Sequence, residues 1–251
     1  MGRANNPAKG GQQPPRRGSQ RVPTYTGFES FRDSIDAPYY RSERRRLSPE
    51  ETWTFINQRL HGLMRGVNDM ARTRPVAITP GQLHRWHRYM FGEDFGSGGQ
   101  VRQGDIEYPV RTVEKGTVRE RRQRGSAPDR VRGDLDAACR AFQAHIDSVL
   151  AGGGEVEMKT GALAATELYA SILRIHPYED GNGRAAFVAL QAALRSQGMY
   201  AVSFDDITRH DEALGSALRS DIDPDAGPFA ELVIERINAA ALEVDRSMLG
   251  S

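Results

Sequence analysis

Residues 174–187 read RIHPYEDGNGRAAF, and neither a helix nor a strand can run through them. Pro177 has no N–H to donate and biases His176 away from helical angles. Gly181 and Gly183 admit backbone angles that other residues avoid and allow close approach of another atom. Apolar residues at helical spacing (Leu163, Leu168, Ile172, Leu173) precede the stretch. The sequence therefore predicts a helix from about Thr160 to Ile175 and a loop opening at His176. A second helix follows from about Asn182 to Ser196 and closes at Gly198.

Other helix starts are written plainly. In "SPEE" at 48–51, Ser48 is the cap, Pro49 occupies the first helical position and Glu51 completes a capping box. Trp53, Ile56, Leu60, Leu63, Met64 and Val67 continue that helix, with Trp53 expected in the core. Thr79-Pro80 opens another, carrying Leu83, Trp86, His87 and Met90 and ending near Phe91-Gly92. Six glycines then break helical pattern between 92 and 128, where "IEYPVRTV" and "GTVRERR" predict a hairpin around Glu114-Lys115-Gly116. Helix resumes at about 128–150, and the C-terminal third predicts two or three more. The expected fold class is all-α, a helical bundle with one small β-hairpin. Residues 1–22, rich in Gly, Pro, Gln and Arg, are expected to be a disordered basic tail, 23–47 an irregular arm, and 48–251 one domain.

Charge and cysteine content exclude several classes. Net charge is +1, so the whole-chain balance names no acidic partner, although basic runs occur at 41–46 and 119–124. The single cysteine, Cys139, allows no intrachain disulfide and is expected to be a small buried residue. No apolar run is long enough to span a membrane or to form a signal-peptide core. The cytoplasm is the default compartment, with delivery out of the cell by another signal left open. Nucleic acid is a disfavoured partner: the basic tail is of a kind that is usually non-specific.

The opening stretch has a chemical reading. Free N–H groups at the start of the helix at Asn182 form an anion site. Arg184 sits in the first turn, where the dipole disfavours a cation, and meeting a phosphate there explains its placement. Asp180 offers a carboxylate oxygen to a magnesium ion bridging phosphates. His176 is a base that titrates near neutrality. Together these suit attack of a hydroxyl on a nucleotide phosphate. A polar Gly-Asn-Gly loop without chemistry remains the alternative at this point.

"HPYEDGNGRAAF" resembles the signature of the Fic family, His-Pro-Phe-x-(Asp/Glu)-Gly-Asn-Gly-Arg-x-x-Arg, through His176, Pro177, Asp180, Gly181, Asn182, Gly183 and Arg184. "LHRWHRYMFGEDFGSGGQVR" at 83–102 is similar to the family's helix, Phe-Gly stop and Gly-x-x-Arg turn, and the hairpin falls where the family has its flap. The resemblance covers about residues 80–200. It implies a Fic-type helical fold that moves a nucleoside monophosphate, AMP from ATP as first guess, onto a Tyr, Ser or Thr hydroxyl of a target protein. By position, His176 would take the hydroxyl proton and Asp180 would hold magnesium. Gly181, Asn182 and Gly183 would cradle the phosphates, and Arg184 would neutralise the β-phosphate. The flap would hold the target by strand-like pairing. An antitoxin or activator partner is implied as a possibility for the family.

Two positions depart from the signature. Tyr178 replaces Phe, keeping a bulky aromatic. Phe187 replaces the final Arg, which in the family meets the γ-phosphate and pairs with an inhibitory glutamate. This opens the alternative of another donor: a CDP-alcohol, UTP, or phosphoryl transfer. A degenerate nucleotide- or protein-binding module is the rival from a different class. Only Thr208 and Glu212 have the spacing of the inhibitory motif, and Ala213 breaks its end. His84 and His87 have a metal-compatible spacing but no evident third ligand, which favours a surface or packing role.

Overall fold

A computed structural model describes residues 48–73, 75–92, 98–114, 117–151, 157–203, 211–218 and 224–249. The expected tail (1–22), arm (23–47), hairpin tip (115–116) and Thr208 lie outside these residues, as do the side chains of Trp53 and Glu212. Seven helices and one hairpin occur among the described residues. In chain order they are α1 (Pro49–Thr73), α2 (Pro80–Phe91), β1 (Glu107–Glu114), β2 (Thr117–Arg124), α3 (Val131–Ala151), α4 (Met158–Ile175), α5 (Asn182–Ser196), α6 (Asp211–Leu218) and α7 (Gly227–Leu249). This is the helical bundle with a small hairpin that the sequence predicts. No helix among the described residues is long and apolar enough to cross a membrane.

The caps form as written in the sequence. Ser48 N–H donates to Glu51 Oε2 at 2.7 Å and Glu51 N–H returns a bond to Ser48 Oγ at 3.2 Å. This reciprocal pair satisfies amides that the helix cannot. Thr79 Oγ1 accepts from Gln82 N–H at 3.1 Å, and α2 closes on Gly92 at φ 67°. Ile56, Leu60, Met64 and Val67 of α1 and Leu83, Trp86, His87 and Met90 of α2 are buried, so the apolar stripes face the core. Cys139 is buried as expected, and burial pushes its thiol up to about 12.

The core is organised around α5. Every residue from Arg184 to Leu194 is buried, so this helix has no solvent face. It packs against α1, α2 and α4, while α4 also packs against α3 and α7. Alanines at 185, 186, 189, 192 and 193 let neighbouring helices approach closely. Gln191 is the polar exception: its amide pairs with the backbone of Val202, donating to the carbonyl at 2.6 Å and accepting from the N–H at 3.3 Å.

The hairpin pairs Glu107 with Arg124 at its base and Glu114 with Thr117 at its tip end. Over Glu107–Val110 the strand alternates: Tyr108 and Val110 are buried, while Glu107 and Pro109 are exposed. α6 packs against β1, and the two-stranded sheet leaves β2 as its other edge. Gly125 N–H donates to Ile106 O at 3.1 Å and closes the base.

Phe187 lies in the middle of α5 and is 0% exposed. An arginine at this position would enter the core, not the loop. Phe187→Ala is expected to cost about 3–5 kcal/mol through the cavity it leaves. Phe187→Arg should cost more, because it buries a charge. Thermal unfolding should rank wild type above the alanine variant and the alanine above the arginine. An arginine variant as stable as wild type would show that the position opens towards the site.

Candidate active site

Helix α4 ends at Ile175, and its final carbonyls need donors. His176 is the C-cap, at φ 52° and ψ 61°, with its N–H donating to Ile172 O at 3.0 Å. It is the one non-glycine residue at positive φ among the described residues. Such a conformation costs about 1 kcal/mol or more and persists only when its surroundings over-determine it.

Arg102 supplies much of that constraint. Its side chain is buried, with Nε donating to His176 O at 2.7 Å and the terminal nitrogens to Gly104 O at 2.5 Å, Ile175 O at 3.3 Å and Ser126 O. Its backbone N–H donates to Pro177 O at 3.0 Å, and Ser126 N–H donates to Ile175 O at 3.2 Å. One guanidinium therefore ties the end of α4, the base of the hairpin and the start of the loop together. Its planar fork of donors is suited to several carbonyls at once in a way that a lysine is not.

The His176 imidazole stacks on the Tyr108 ring, centroids 4.2 Å apart and 11° from parallel. Its Nδ1 lies 3.3 Å from Leu173 O, an acceptor only, so Nδ1 carries the proton and Nε2 is the basic nitrogen. Burial pulls the pKa of His176 down to about 4. The bond to Leu173 opposes this, Arg102 adds to it, and Asp180 opposes it. The ring is neutral at pH 7. Tyr108 O–H lies 3.4 Å from Arg174 O, and burial raises its pKa to about 12.

The rest of the loop is held from α2. His87 stacks between Tyr178 (3.8 Å) and Phe91 (4.4 Å). Gly99 N–H donates to its Nδ1 at 2.9 Å, so Nε2 bears the proton and donates to Asp180 O, also at 2.9 Å. Burial lowers its pKa to about 4, keeping it in the neutral form that can both accept and donate. Tyr178, buried in place of the family's Phe, shares a 3.0 Å hydrogen bond between its hydroxyl and His84 Nδ1. Asn182 closes the loop on itself: Tyr178 N–H donates to its Oδ1 at 2.9 Å, and its Nδ2 donates to Tyr178 O at 2.8 Å. Gly181 sits at φ 75°, and a Cβ there would come within 2.2 Å of Phe91 and 3.0 Å of His87.

The sequence-predicted residues fall on this one loop and the first turn of α5. Gly181 N–H donates to Asp180 Oδ1 at 2.5 Å. The first helical bond runs from Ala185 to Gly181, so the amides of Asn182, Gly183 and Arg184 lie ahead of the ladder. The Asn182 side chain is engaged locally, which leaves its backbone as its contribution to an anion site. Arg184 is buried, its guanidinium carbon 6.0 Å from the Phe91 ring centroid. No cluster of three or more His, Cys, Asp or Glu groups occurs among the described residues. Asp180 is thus a single carboxylate donor. That fits a magnesium ion whose other ligands are water and substrate phosphates, and not one caged by protein.

Three residues that shape the site carried little or no signal of their own. The helical period placed His87 on the apolar face of α2, but nothing in it indicated a bond to the loop. Arg102 was visible only as the end of a Gly-x-x-Arg turn. Tyr108 was one position in a strand, and its ring contact with a residue 68 positions later depends on the fold.

Residues 77–194 match the model of the Fic/DOC family. Members of this family generally transfer nucleotide or phosphate groups. Solved structures share the fold. A Fic domain-containing signalling protein from Bacteroides thetaiotaomicron aligns at TM-score 0.55 and 16% identity, covering 74% of this chain and 69% of its own. The BepC effector of Bartonella tribocorum, solved with bound AMPPNP, aligns at 0.51 and 16%, covering 75% and 87%. The Fic domain of a Bartonella quintana effector with bound ADP aligns at 0.53 and 13%, covering 75% and 86%. Identities this low carry the fold alone. None of the curated proteins compared matches the chain.

His87→Ala should destabilise the protein by roughly 3–5 kcal/mol, since it opens a cavity and strips the partners of Gly99 N–H and Asp180 O. Urea unfolding measures this; a change below about 1 kcal/mol would mean the loop holds itself. Gly181→Ala should disrupt the loop by driving a methyl into Phe91, and Phe91→Ala in the same chain should recover part of the loss.

Proposed function

We propose that this protein transfers a nucleoside monophosphate to a hydroxyl group of a target protein, with ATP as the first donor to test. The observation that carries this reading is the state of His176. Its imidazole is neutral, its Nδ1–H is committed to a backbone carbonyl, and its Nε2 is the remaining base, on the same loop as Asp180 and the amides that open α5. Binding of AMPPNP by the Bartonella tribocorum neighbour is consistent with a nucleotide donor.

In this reading Nε2 of His176 accepts the proton of a Tyr, Ser or Thr hydroxyl as its oxygen attacks the α-phosphorus of the donor. The P–O bond to the β-phosphate breaks, and pyrophosphate leaves when ATP is the donor. The amides of Asn182 and Gly183 and the guanidinium of Arg184 bind phosphate oxygens at the start of α5. Asp180 would hold magnesium, which supplies neutralisation of phosphate charge. The stack of His176 on Tyr108 fixes the plane of the imidazole.

A second reading keeps the fold and changes the donor. Phe187 lies in the core, so position 187 brings no cation to a third phosphate. That favours donors with a diphosphate, such as a CDP-alcohol. UTP as donor and simple phosphoryl transfer test the same question.

Mass spectrometry of the protein and a host lysate, incubated with magnesium and a panel of donors, tests both readings. Wild type should add one donor-specific mass to a hydroxyl residue, and His176→Ala should abolish the addition while circular dichroism stays unchanged. Failure of every donor with a folded wild-type protein would leave the binding-module reading. The pH profile adds a check on His176. A proton on Nε2 removes the base, so kcat/KM should fall on the acid side near pH 4, well below the ordinary histidine range. Bound phosphates favour the imidazolium, so the acid limb of kcat should lie higher.

A further inference from the structure

A groove of about 760 Å³ opens below the C-terminal end of β2, between the start of α3 and the end of α4. Arg124, Arg130 and Arg174 line it, against a single acid, Asp134. The pairs Arg124–Glu107 (3.1 Å) and Arg130–Asp134 (3.2 Å) are formed by largely exposed arginines. Pairs of this kind contribute little and exchange readily for another anion. Arg174 lies deeper. It donates to Ala217 O at 2.5 Å and Ser171 Oγ at 3.0 Å, both neutral acceptors; burial works against its charge, and Glu167 offsets part of that cost without a direct bond to it. Ile175, the residue immediately before His176, also lines the groove.

We propose that this groove binds an acidic segment of the target protein and so selects hydroxyl residues that lie a few positions from Asp or Glu. The proposal rests on His176 being the transfer base. Charge complementarity favours an anionic occupant: three arginines and one acid line the groove, and the carboxylates that offset Arg124 and Arg174, Glu107 and Glu167, are not among the lining residues. A polypeptide is favoured over nucleic acid by two features. The groove continues from the end of β2, the edge strand of the hairpin, where an extended chain can pair through its backbone. None of the residues lining it is aromatic, so it offers no platform on which bases could stack. Arg122, two positions before Arg124 and on the same face of β2, extends the charge along the strand.

The test uses the full-length His176→Ala protein, so that turnover does not intervene. Fluorescence anisotropy compares a labelled dodecapeptide of alternating Glu and Thr with its Gln–Thr counterpart, at low ionic strength. The acidic peptide should bind at least about tenfold tighter. Arg124→Glu combined with Arg130→Glu, both at exposed positions, should remove that preference, and Arg65→Glu on α1 should leave it intact. Equal affinity for the two peptides, or a preference untouched by the double variant, would overturn the proposal. Tighter binding of a single-stranded oligonucleotide, lost in the same double variant, would also overturn it and assign the groove to nucleic acid. Transfer is read separately in the wild-type protein. Selective peptide binding without transfer from any donor would sink the transferase reading and retain the groove as an acidic-segment site.

Discussion

Ending α4 at Ile175 creates a problem that the surrounding structure must solve. The last carbonyls of a helix have no helical partners, and here they lie too deep to be left to solvent. Arg102 takes two of them, those of Ile175 and His176, along with Gly104 and Ser126 from the segments flanking the hairpin. A buried guanidinium is costly in isolation and becomes tolerable when its donors are used. Because the same group reaches the hairpin base and the helix end, the hairpin cannot drift relative to His176. Tyr108 is thereby held against the imidazole, and the left-handed cap at His176 is enforced from outside instead of by its own preference.

The far half of the loop is fixed by a different chemistry. Phe91, His87 and Tyr178 form a continuous aromatic stack from α2 into the loop. Within that stack the middle ring also donates and accepts, joining Gly99 N–H to the carbonyl of Asp180. A phenylalanine could stack but could not satisfy these two backbone groups. The result is a site whose polar atoms are positioned before any ligand arrives. Pre-organisation of this kind lowers the cost of binding and of charge development during a reaction.

Much of the scaffold was legible in the sequence because its signals are local. The Ser48–Glu51 box and the Thr79-Pro80 start state where α1 and α2 begin, and Gly92 and Gly198 state where helices stop. Pro177 and Gly181 break the chain between α4 and α5 at the places observed. The loop residues His176, Asp180, Asn182 and Arg184 were legible for the same reason, as a contiguous run with recognisable chemistry. His87 was legible as a core position but not as a loop partner. Arg102 and Tyr108 act on residues 73 and 68 positions away, and nothing near them in the chain records that.

Phe187 shows the division most clearly. The sequence by itself determined that this position carries an aromatic and no charge, and so that no cation from it can meet a phosphate. Only the tertiary structure decided that the ring is core, because α5 is enclosed on every side by neighbouring helices. In the same way, local sequence determined that a helix start with amides ahead of its ladder follows a histidine. The packing of the hairpin and α2 around the loop decided that this histidine is desolvated and neutral, with one nitrogen committed. Desolvation and long-range hydrogen bonding belong to the whole fold, so no short stretch of residues could have specified them.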